Sequence, residues 1–207
     1  MALARLGSSR LWSFNSTQQQ EFLGTLSDAV WQLSQKRYGA LFAIEQTMGL
    51  KDHIETGVEI KGVLSPELAL TIFHPKTALH DGGVILSGER IVAASCVFSV
   101  SQSEVGDRSM GLRHRAAIGL TEESDAVTIV VSEETGQVSI CIDGKIERNL
   151  EEDAFRERLE EIFLSNSEVD DNEEGLDEEG LDEEIIREQL DSQDRVAAGG
   201  DRSMVSD

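Results

Sequence analysis

Two short polar clusters enclose an apolar stretch of this chain. Residues 80–83 read HDGG and residues 111–115 read GLRHR. A carboxylate beside flexible glycines can hold a divalent metal ion, and an Arg-His-Arg triplet can hold polyanionic phosphates. Phosphoryl or nucleotidyl transfer requires both kinds of group, so the two clusters together favour that chemistry.

The elements around the clusters would have to bring them together. Apolar runs on either side of Gly88 predict a buried hairpin over residues 80–100. A helix that begins at Gly111 or Leu112 would carry the basic triplet in its first turn. Free backbone N–H groups and the helix dipole also favour anions at that position.

The first part of the chain predicts two helices and a strand. Ser16 with Gln19 forms a capping-box pattern, and apolar residues at three- and four-residue steps predict an amphipathic helix over 17–36. A buried strand is predicted over 40–45, followed by a loop-like stretch over 46–64. Ser65 then caps a short helix that ends at Phe73, before Pro75.

The later part predicts two strands and a final helix. The strands cover residues 127–131 and 137–142, and Asp143-Gly144 makes a tight turn after them. Asn149 is predicted to cap a helix that runs to Phe163. Because helices and strands interleave throughout, the fold class is α/β, with a mixed central β-sheet flanked by helices.

Charge divides the chain into segments. The net charge is −22, and residues 165–207 carry about 16 acidic and about 3 basic side chains, which leaves roughly −9 for residues 1–164. The expected organisation is a flexible N-terminal arm (1–15), a folded domain (16–164) and a disordered acidic tail (165–207). A tail that binds a partner protein is the alternative interpretation.

Composition also limits the compartment and the partners. The acidic charge argues against a nucleic-acid partner or an anionic membrane surface. No stretch approaches the roughly 20 apolar residues of a membrane span. Cys96 and Cys141 lie in apolar runs without metal-site spacing, so buried thiols in a reducing, cytoplasmic protein are expected.

Taken together, the motifs resemble those of the diadenylate cyclase family. Residues 80–83 are similar to its Asp-Gly-Ala motif, residues 111–117 to its Arg-His-Arg motif, and residues 132–136 (SEETG) to its third conserved turn. An isolated Asp-Gly-Gly is usually a turn, and an isolated Arg-His-Arg is usually a solvated helix start. The order and spacing of all three motifs, over about residues 17–163, carry the resemblance.

The resemblance implies an enzyme that condenses two ATP molecules into cyclic di-AMP and two pyrophosphates with Mg²⁺ or Mn²⁺. Each protomer would bind one ATP, and two protomers would meet face to face in a homodimer or a higher homo-oligomer. The 3′-hydroxyl of each nucleotide would then attack the α-phosphate of the other. Such a transfer depends mainly on positioning and on charge stabilisation.

The resemblance also implies roles for individual residues. Asp81 would lie beside the metal and the attacking 3′-hydroxyl as a catalytic group, with Glu134 and His80 as further metal ligands. Arg113, His114 and Arg115 would order the phosphates during catalysis. The positions implied to bind ATP comprise a base pocket, the glycine loop and the phosphate donors, namely Leu41, Phe98, Gly82, Gly83, Leu112, Arg113, His114, Arg115 and Ser132.

Two positions depart from the family pattern. Gly83 stands where alanine is usual, and the loss of a methyl group is expected to loosen the loop. Leu112 stands where threonine is frequent, which removes a hydroxyl donor to phosphate. These departures favour the alternative of a nucleotide sensor without turnover, whose acidic tail recruits partners.

A metal-dependent hydrolase is a further alternative. His74, His80, Asp81 and His114 would supply its metal ligands. Against it, no HxxxH-type pair places two ligands on one helix face, and Arg113 and Arg115 would repel a bound cation. Release of pyrophosphate from ATP with Mn²⁺ discriminates between the cyclase and the sensor.

Overall fold

A computed structural model describes residues 16–102 and 110–164 of the 207-residue chain. The predicted arm (1–15) and tail (165–207), and most of the predicted loop at 101–110, lie outside these residues. The described helices are α1 (Ser16–Lys36), α2 (Lys51–Ile54), α3 (Pro66–Ile72), α4 (Leu112–Glu123) and α5 (Glu152–Phe163). The strands are β1 (Ala40–Ile44), β2 (Val58–Val63), β3 (Gly83–Ser87), β4 (Arg90–Cys96), β5 (Val127–Val131), β6 (Val138–Ile142) and β7 (Lys145–Leu150).

The strands form one seven-stranded sheet in the order β2-β4-β3-β1-β5-β6-β7. β1 pairs in parallel with β3, and the other neighbouring strands pair antiparallel. The sheet is therefore mixed, as predicted. Its central strand, β1, reads ALFAI and is buried at every residue, because helices cover both faces of the sheet.

The two faces have separate hydrophobic cores. Phe42 on β1 points to the core formed with α1, α3 and α5, where its ring meets the edge of Phe73 at a centroid distance of 5.1 Å. Its neighbour Leu41 points to the opposite core, which α4 covers. This alternation follows from the two-residue period of a strand. Each fully buried side chain of this size contributes roughly 1.5–3 kcal/mol to the free energy of unfolding.

Most of the predicted elements are present close to their expected bounds. The α1 helix, the β3–β4 hairpin and the β5–β6 pair match the predictions. Ser65 caps α3, since its Oγ accepts a hydrogen bond from the Leu68 N–H at 3.2 Å. α4 begins at Leu112 with Gly111 as its N-cap. None of the described helices is long and apolar enough to cross a membrane.

Three local predictions were wrong. The stretch expected to be a loop contains β2, an edge strand whose residues are mostly exposed, so it lacks an apolar run. The Gln19 amide does not close a capping box but donates to the Phe163 carbonyl at 2.8 Å. The N-cap of α5 is Glu151 and makes no side-chain cap, while Asn149 lies within β7.

Candidate active site

A cavity of about 390 Å³ lies where the predicted phosphate and metal residues converge. This volume falls within the range of small-molecule sites. The start of α4, the turn after β5, and strands β6 and β7 line it together with Asp81. The lining residues are Asp81, Met110, Gly111, Leu112, Arg113, His114, Val131, Ser132, Glu133, Glu134, Thr135, Gln137, Ser139, Arg148 and Asn149. Six of the predicted residues, Asp81, Leu112, Arg113, His114, Ser132 and Glu134, are therefore brought together.

The start of α4 presents backbone donors to this cavity. Gly111 precedes the helix in an extended conformation and offers no capping side chain. The N–H groups of the first helical turn have no acceptor within the helix, and the helix dipole adds positive potential. Anions are therefore favoured here even before side chains are considered.

Arg113 connects the three motif segments. Its Nη2 donates to the His80 carbonyl at 3.1 Å, and its Nη1 donates to the Glu133 carboxylate at 2.7 Å. The side chain is 22% exposed, and its buried Nε has no hydrogen-bond partner among the described residues. One guanidinium thus fixes the segment that carries Asp81 and the turn that carries Glu134 relative to α4.

Gly39, just before β1, leaves room for this ion pair. A Cβ added there would lie 2.9 Å from the Glu133 carboxylate and 3.0 Å from Arg113 Nη1. The backbone therefore approaches the pair as closely as its atoms allow, and a side chain at this position would push them apart. Gly39 belongs to the site even though it supplies no functional group.

His114 lines the cavity and is 9% exposed. Burial lowers the pKa of its imidazole below the ordinary value of 6.5, and the positive charge of Arg148 lowers the pKa further. The ring is consequently neutral at pH 7. In that state one ring nitrogen donates a hydrogen bond and the other accepts one.

Arg115 does not line the cavity. Its Nη2 donates to the Ser101 carbonyl at 3.2 Å, and its own carbonyl accepts from the Ser101 N–H at 3.0 Å. Two residues along a helix correspond to a rotation of about 200°, which turns Arg115 away from Arg113. The predicted phosphate contact of Arg115 is thus not part of this cavity, and the side chain holds the chain segment after β4 against α4.

The glycines after Asp81 have distinct structural roles. Gly82 has φ +90°, and a Cβ there would lie 2.6 Å from the Cys96 carbonyl oxygen, so this position requires glycine. Gly83 is tightly packed, because a Cβ there would lie 2.3 Å from the Phe98 ring and 3.2 Å from Leu41. The expected loosening at Gly83 is therefore absent, since the Phe98 ring fills the space that a methyl group would need.

The two residues predicted for the base pocket, Leu41 and Phe98, pack against Gly83 and are buried, outside the cavity. The Phe98 ring also meets the edge of the His53 ring at 5.5 Å. His53 in turn contacts Glu123 through its Nε2 at 3.3 Å. Leu41 and Phe98 thus belong to the hydrophobic core between the sheet and α4.

The carboxylates suit a metal bound jointly with phosphate. Asp81 and Glu134 line the cavity, whereas Glu133 is engaged with Arg113. No group of three or more candidate ligands occurs among the described residues. Magnesium is commonly held by one or two carboxylates plus substrate phosphates, so this pair fits such a site. His80 does not line the cavity, and its Nδ1 donates to the Thr77 carbonyl at 2.6 Å.

The sequence predictions missed one side of the cavity, formed by Gln137 just before β6, Ser139 on β6, and Arg148 and Asn149 on β7. Ser139 is a polar residue inside the apolar strand VSICI, which was a usable signal. Arg148 and Asn149 follow a turn and carry no motif. Their position in the cavity depends on how β7 pairs with β6.

Comparison with known proteins identifies relatives of this chain. Residues 27–146 match the family described as DAC, DisA bacterial checkpoint controller nucleotide-binding. The chain is 41% identical over 170 residues to the cyclic di-AMP synthase CdaA of Bacillus subtilis, covering 80% of this chain and 62% of that protein. It is 37% identical over 147 residues to a diadenylate cyclase of Listeria monocytogenes, covering 71% of this chain and 52% of that protein. The chain thus spans between half and two thirds of these relatives.

Solved structures share the fold. The crystal structure of a double mutant of DacA from Staphylococcus aureus superposes with a TM-score of 0.68 at 41% identity, covering 70% of this chain and 97% of that one. A hypothetical membrane spanning protein from Bacillus cereus gives a TM-score of 0.60 at 38% identity, covering 62% and 63%.

Proposed function

The chain belongs to the DAC family of nucleotide-binding domains, and on that basis we propose that it condenses two ATP molecules into cyclic di-AMP and two pyrophosphates. The observation that carries the proposal is the connection of all three motif segments through Arg113 around one cavity. The relatives named as cyclic di-AMP synthase and diadenylate cyclase support it. We place this chemistry within residues 16–164.

The reaction forms one phosphodiester bond for each pyrophosphate released. The 3′-oxygen of one nucleotide attacks the α-phosphorus of the other, and the bond from that phosphorus to the bridging oxygen of pyrophosphate breaks. The hydroxyl proton leaves for a nearby carboxylate or water, and we assign this role to Asp81, one of the exposed carboxylates that line the cavity. Arg113, His114 and the N–H groups at the start of α4 hold the phosphates, and Ser132 donates to a phosphate oxygen.

Asp81 and Glu134 would hold a magnesium or manganese ion, which would neutralise phosphate charge and favour the ionised 3′-oxygen. Arg113 is kept in place by Glu133 and by the backbone of His80, so its guanidinium does not need to reorganise when the nucleotide binds. Preorganised charge of this kind contributes most to such transfers.

A homodimer follows from the stoichiometry. Each protomer offers one such cavity, whereas the product joins two nucleotides through two equivalent bonds. Asp81 is exposed, and Leu112 at the cavity is 73% exposed, so both are accessible to a nucleotide presented by a second protomer. We propose that two protomers meet face to face at these residues and that this dimer, or a higher homo-oligomer containing it, is the active species.

The test is to incubate the purified protein with ATP and Mg²⁺ or Mn²⁺ and to detect cyclic di-AMP by mass spectrometry. We expect a product that increases faster than linearly with protein concentration while the dimer is incompletely formed. Binding of ATP without any product would instead support the sensor alternative, which the exposed Leu112 side chain favours because it supplies no hydroxyl donor. Release of inorganic phosphate or AMP in place of cyclic di-AMP would support a hydrolase.

A further inference from the structure

The strongest unexplained feature is the side of the cavity formed by Gln137, Ser139, Arg148 and Asn149, here called the β6–β7 wall. The family match ends at residue 146, so Arg148 and Asn149 lie beyond it. Neither residue belongs to the three motifs. The proposed roles of Asp81, Arg113 and Ser132 leave this wall without a function.

The wall is shaped by an irregularity in strand pairing. The register between β6 and β7 shifts between the pairs Val138–Leu150 and Ile140–Glu147, which places an extra residue on β7. Asn149 lies within this bulge and has φ 60°, in the left-handed region. Bulges redirect side chains and recur beside active sites. Here the bulge spans Arg148 and Asn149, and both line the cavity.

The side chains of the wall are suited to phosphate oxygens. Arg148 supplies a guanidinium, Ser139 a hydroxyl, and Gln137 and Asn149 supply amides, all of which donate hydrogen bonds. Among the described residues that line the cavity, the two arginines are Arg113 on α4 and Arg148 on β7. Arg113 and Arg148 thus present guanidinium groups from two separate elements of the fold.

The two arginines act on the same space. α4 and β7 are in contact, and the charge of Arg148 is close enough to lower the pKa of His114, which follows Arg113 in the chain. A triphosphate carries charge along its length, and one guanidinium cannot reach all of it. Two guanidinium groups on separate elements are therefore complementary to an extended polyphosphate.

We propose that Arg148, with Asn149 and Ser139 beside it, forms a subsite for the β- and γ-phosphates of ATP and thus for the pyrophosphate leaving group. The inference rests on the proposed function and extends it to residues outside the motifs. When the bond from the α-phosphorus to the bridging oxygen breaks, that oxygen keeps the electron pair. Arg148 stabilises the negative charge that develops on the departing pyrophosphate.

The test compares binding of nucleotides that differ in their phosphates. Affinities of 3′-deoxy-ATP, which lacks the attacking hydroxyl, and of AMP are measured by calorimetry with Mg²⁺ present. For Arg148→Gln we expect a loss of about 10-fold or more for 3′-deoxy-ATP and less than about 2-fold for AMP, since a charge-assisted hydrogen bond is removed from the distal phosphates alone. Arg148→Lys keeps the cation and should lose less affinity for 3′-deoxy-ATP than Arg148→Gln.

Arg156→Gln is the matched control, because Arg156 on α5 pairs with Asp28 on α1 and with Glu152, and does not line the cavity. It should leave both affinities unchanged. An equal loss for 3′-deoxy-ATP and AMP in Arg148→Gln, or no loss for either, would overturn the subsite. If Arg148→Gln does not fold, Arg148→Met, which also removes the cation, decides the question by the same comparison of the two nucleotides.

Formation of cyclic di-AMP by the unaltered chain is measured in parallel and separates the two proposals. A chain that makes the product but shows no selective loss in Arg148→Gln retains the proposed function and loses the subsite. Where no product forms, the proposed function fails. The selective loss of 3′-deoxy-ATP binding would then still support a polyphosphate subsite at Arg148, and its absence would overturn it.

Discussion

The cavity has two sides that differ in how exposed their arginine side chains are. On one side, here called the α4 wall and comprising Gly111–His114, Arg113 is held by His80 and Glu133, and His114 is buried. The β6–β7 wall is formed around a bulge at an exposed stretch of β7. This difference indicates that Arg113 on the α4 wall is preorganised, whereas the β6–β7 wall presents Arg148 and Asn149 at an exposed bulge. Preorganised groups contribute to the rate because they need not reorganise as charge develops.

The largest expected effect is at Asp81, which lies at the cavity but is held by neither wall. Asp81→Asn keeps the size of the side chain and removes its ability to accept a proton or to hold a cation strongly. We expect turnover to fall by about 10²–10⁴-fold or more, with the melting temperature and the affinity for ATP nearly unchanged. Steady-state production of cyclic di-AMP measures turnover. Scanning calorimetry measures the melting temperature, and titration calorimetry measures the affinity for ATP.

A near-unaltered rate in Asp81→Asn would contradict both the proposed reaction and the role of this carboxylate. Asp153→Asn is a suitable control, because Asp153 lies in the first turn of α5, outside the cavity. It should affect neither turnover nor ATP affinity.

The next effect tests whether the α4 wall is preorganised. Gly39→Ala would place a Cβ 2.9 Å from the Glu133 carboxylate and 3.0 Å from Arg113 Nη1. The ion pair must then shift, and a displacement on the order of 1 Å in such a group costs up to about 100-fold in rate. We expect kcat to fall by about 10- to 100-fold, with a smaller change in KM.

Gly24→Ala provides the matched control for Gly39→Ala. Nothing lies within 4 Å of the position that its Cβ would take, and Gly24 is inside α1. Alanine should therefore stabilise the protein by about 0.5–1 kcal/mol, with no effect on turnover. If Gly39→Ala were also neutral for kcat, the tight packing of the Arg113–Glu133 pair would have no catalytic consequence.

The contrast between the walls also explains which parts were predictable. Arg113 and Asp81 were identified because their side-chain types and spacing carry chemistry that a single sequence displays. The partners of Arg113 were not identified from the sequence, because its contacts with His80 and Glu133 depend on how distant segments pack. Arg115 was grouped with Arg113 by its place in the motif, although helical geometry directs it to Ser101.

The same reasoning applies to the fold. β1 and α1 were predicted because both elements are buried and therefore have apolar patterns in the sequence. β1 is covered on both faces of the sheet, and α1 packs one face against it. β2 was missed because an edge strand with exposed residues has no such pattern. The position of Arg148 in the cavity was missed because it follows from a bulge, which is set by pairing with β6 and not by local sequence.

A third, smaller effect concerns the close packing of Gly83 against the Phe98 ring. Gly83→Ala would place a methyl group 2.3 Å from the Phe98 ring, which cannot move freely because it is buried. Overpacking of this kind costs about 1–3 kcal/mol in the free energy of unfolding. Phe98→Leu in the same chain should recover part of the loss, because leucine vacates the space that the methyl group needs. Urea denaturation of the two single variants and the double variant measures the coupling.

Additive effects of Gly83→Ala and Phe98→Leu would show that the two positions do not compensate each other. The α4 wall and the β6–β7 wall should tolerate the paired change, because Gly83 and Phe98 do not line the cavity. Turnover per folded molecule is then expected to stay within a few-fold of the unaltered chain. A large loss of turnover in the double variant would place Gly83 and Phe98 in direct contact with the nucleotide.

The smallest effect tests whether the two walls influence each other. The pKa of His114 lies below 6.5 first because of burial and second because of the charge of Arg148. Arg148→Gln should therefore raise the pKa of His114 while leaving it below the ordinary value, as measured by NMR titration of the imidazole. An unchanged pKa would mean that Arg148 does not act on the space next to His114, which would weaken the case for one continuous phosphate site.

The free energy of unfolding should depend on pH because the pKa of His114 is lower in the folded protein than in the unfolded chain. Below pH 6.5 the unfolded imidazole takes up a proton that the folded imidazole does not, so the free energy of unfolding falls as the pH is lowered. The slope due to this residue is at most about 1.4 kcal/mol per pH unit, and the loss levels off once the pH passes below the folded-state pKa. His114→Gln should remove this part of the slope, and Arg148→Gln should reduce it, since a smaller difference in pKa gives a narrower window. An equal slope in all three chains would show that His114 is protonated alike in the folded and unfolded states, and that neither burial nor Arg148 lowers its pKa.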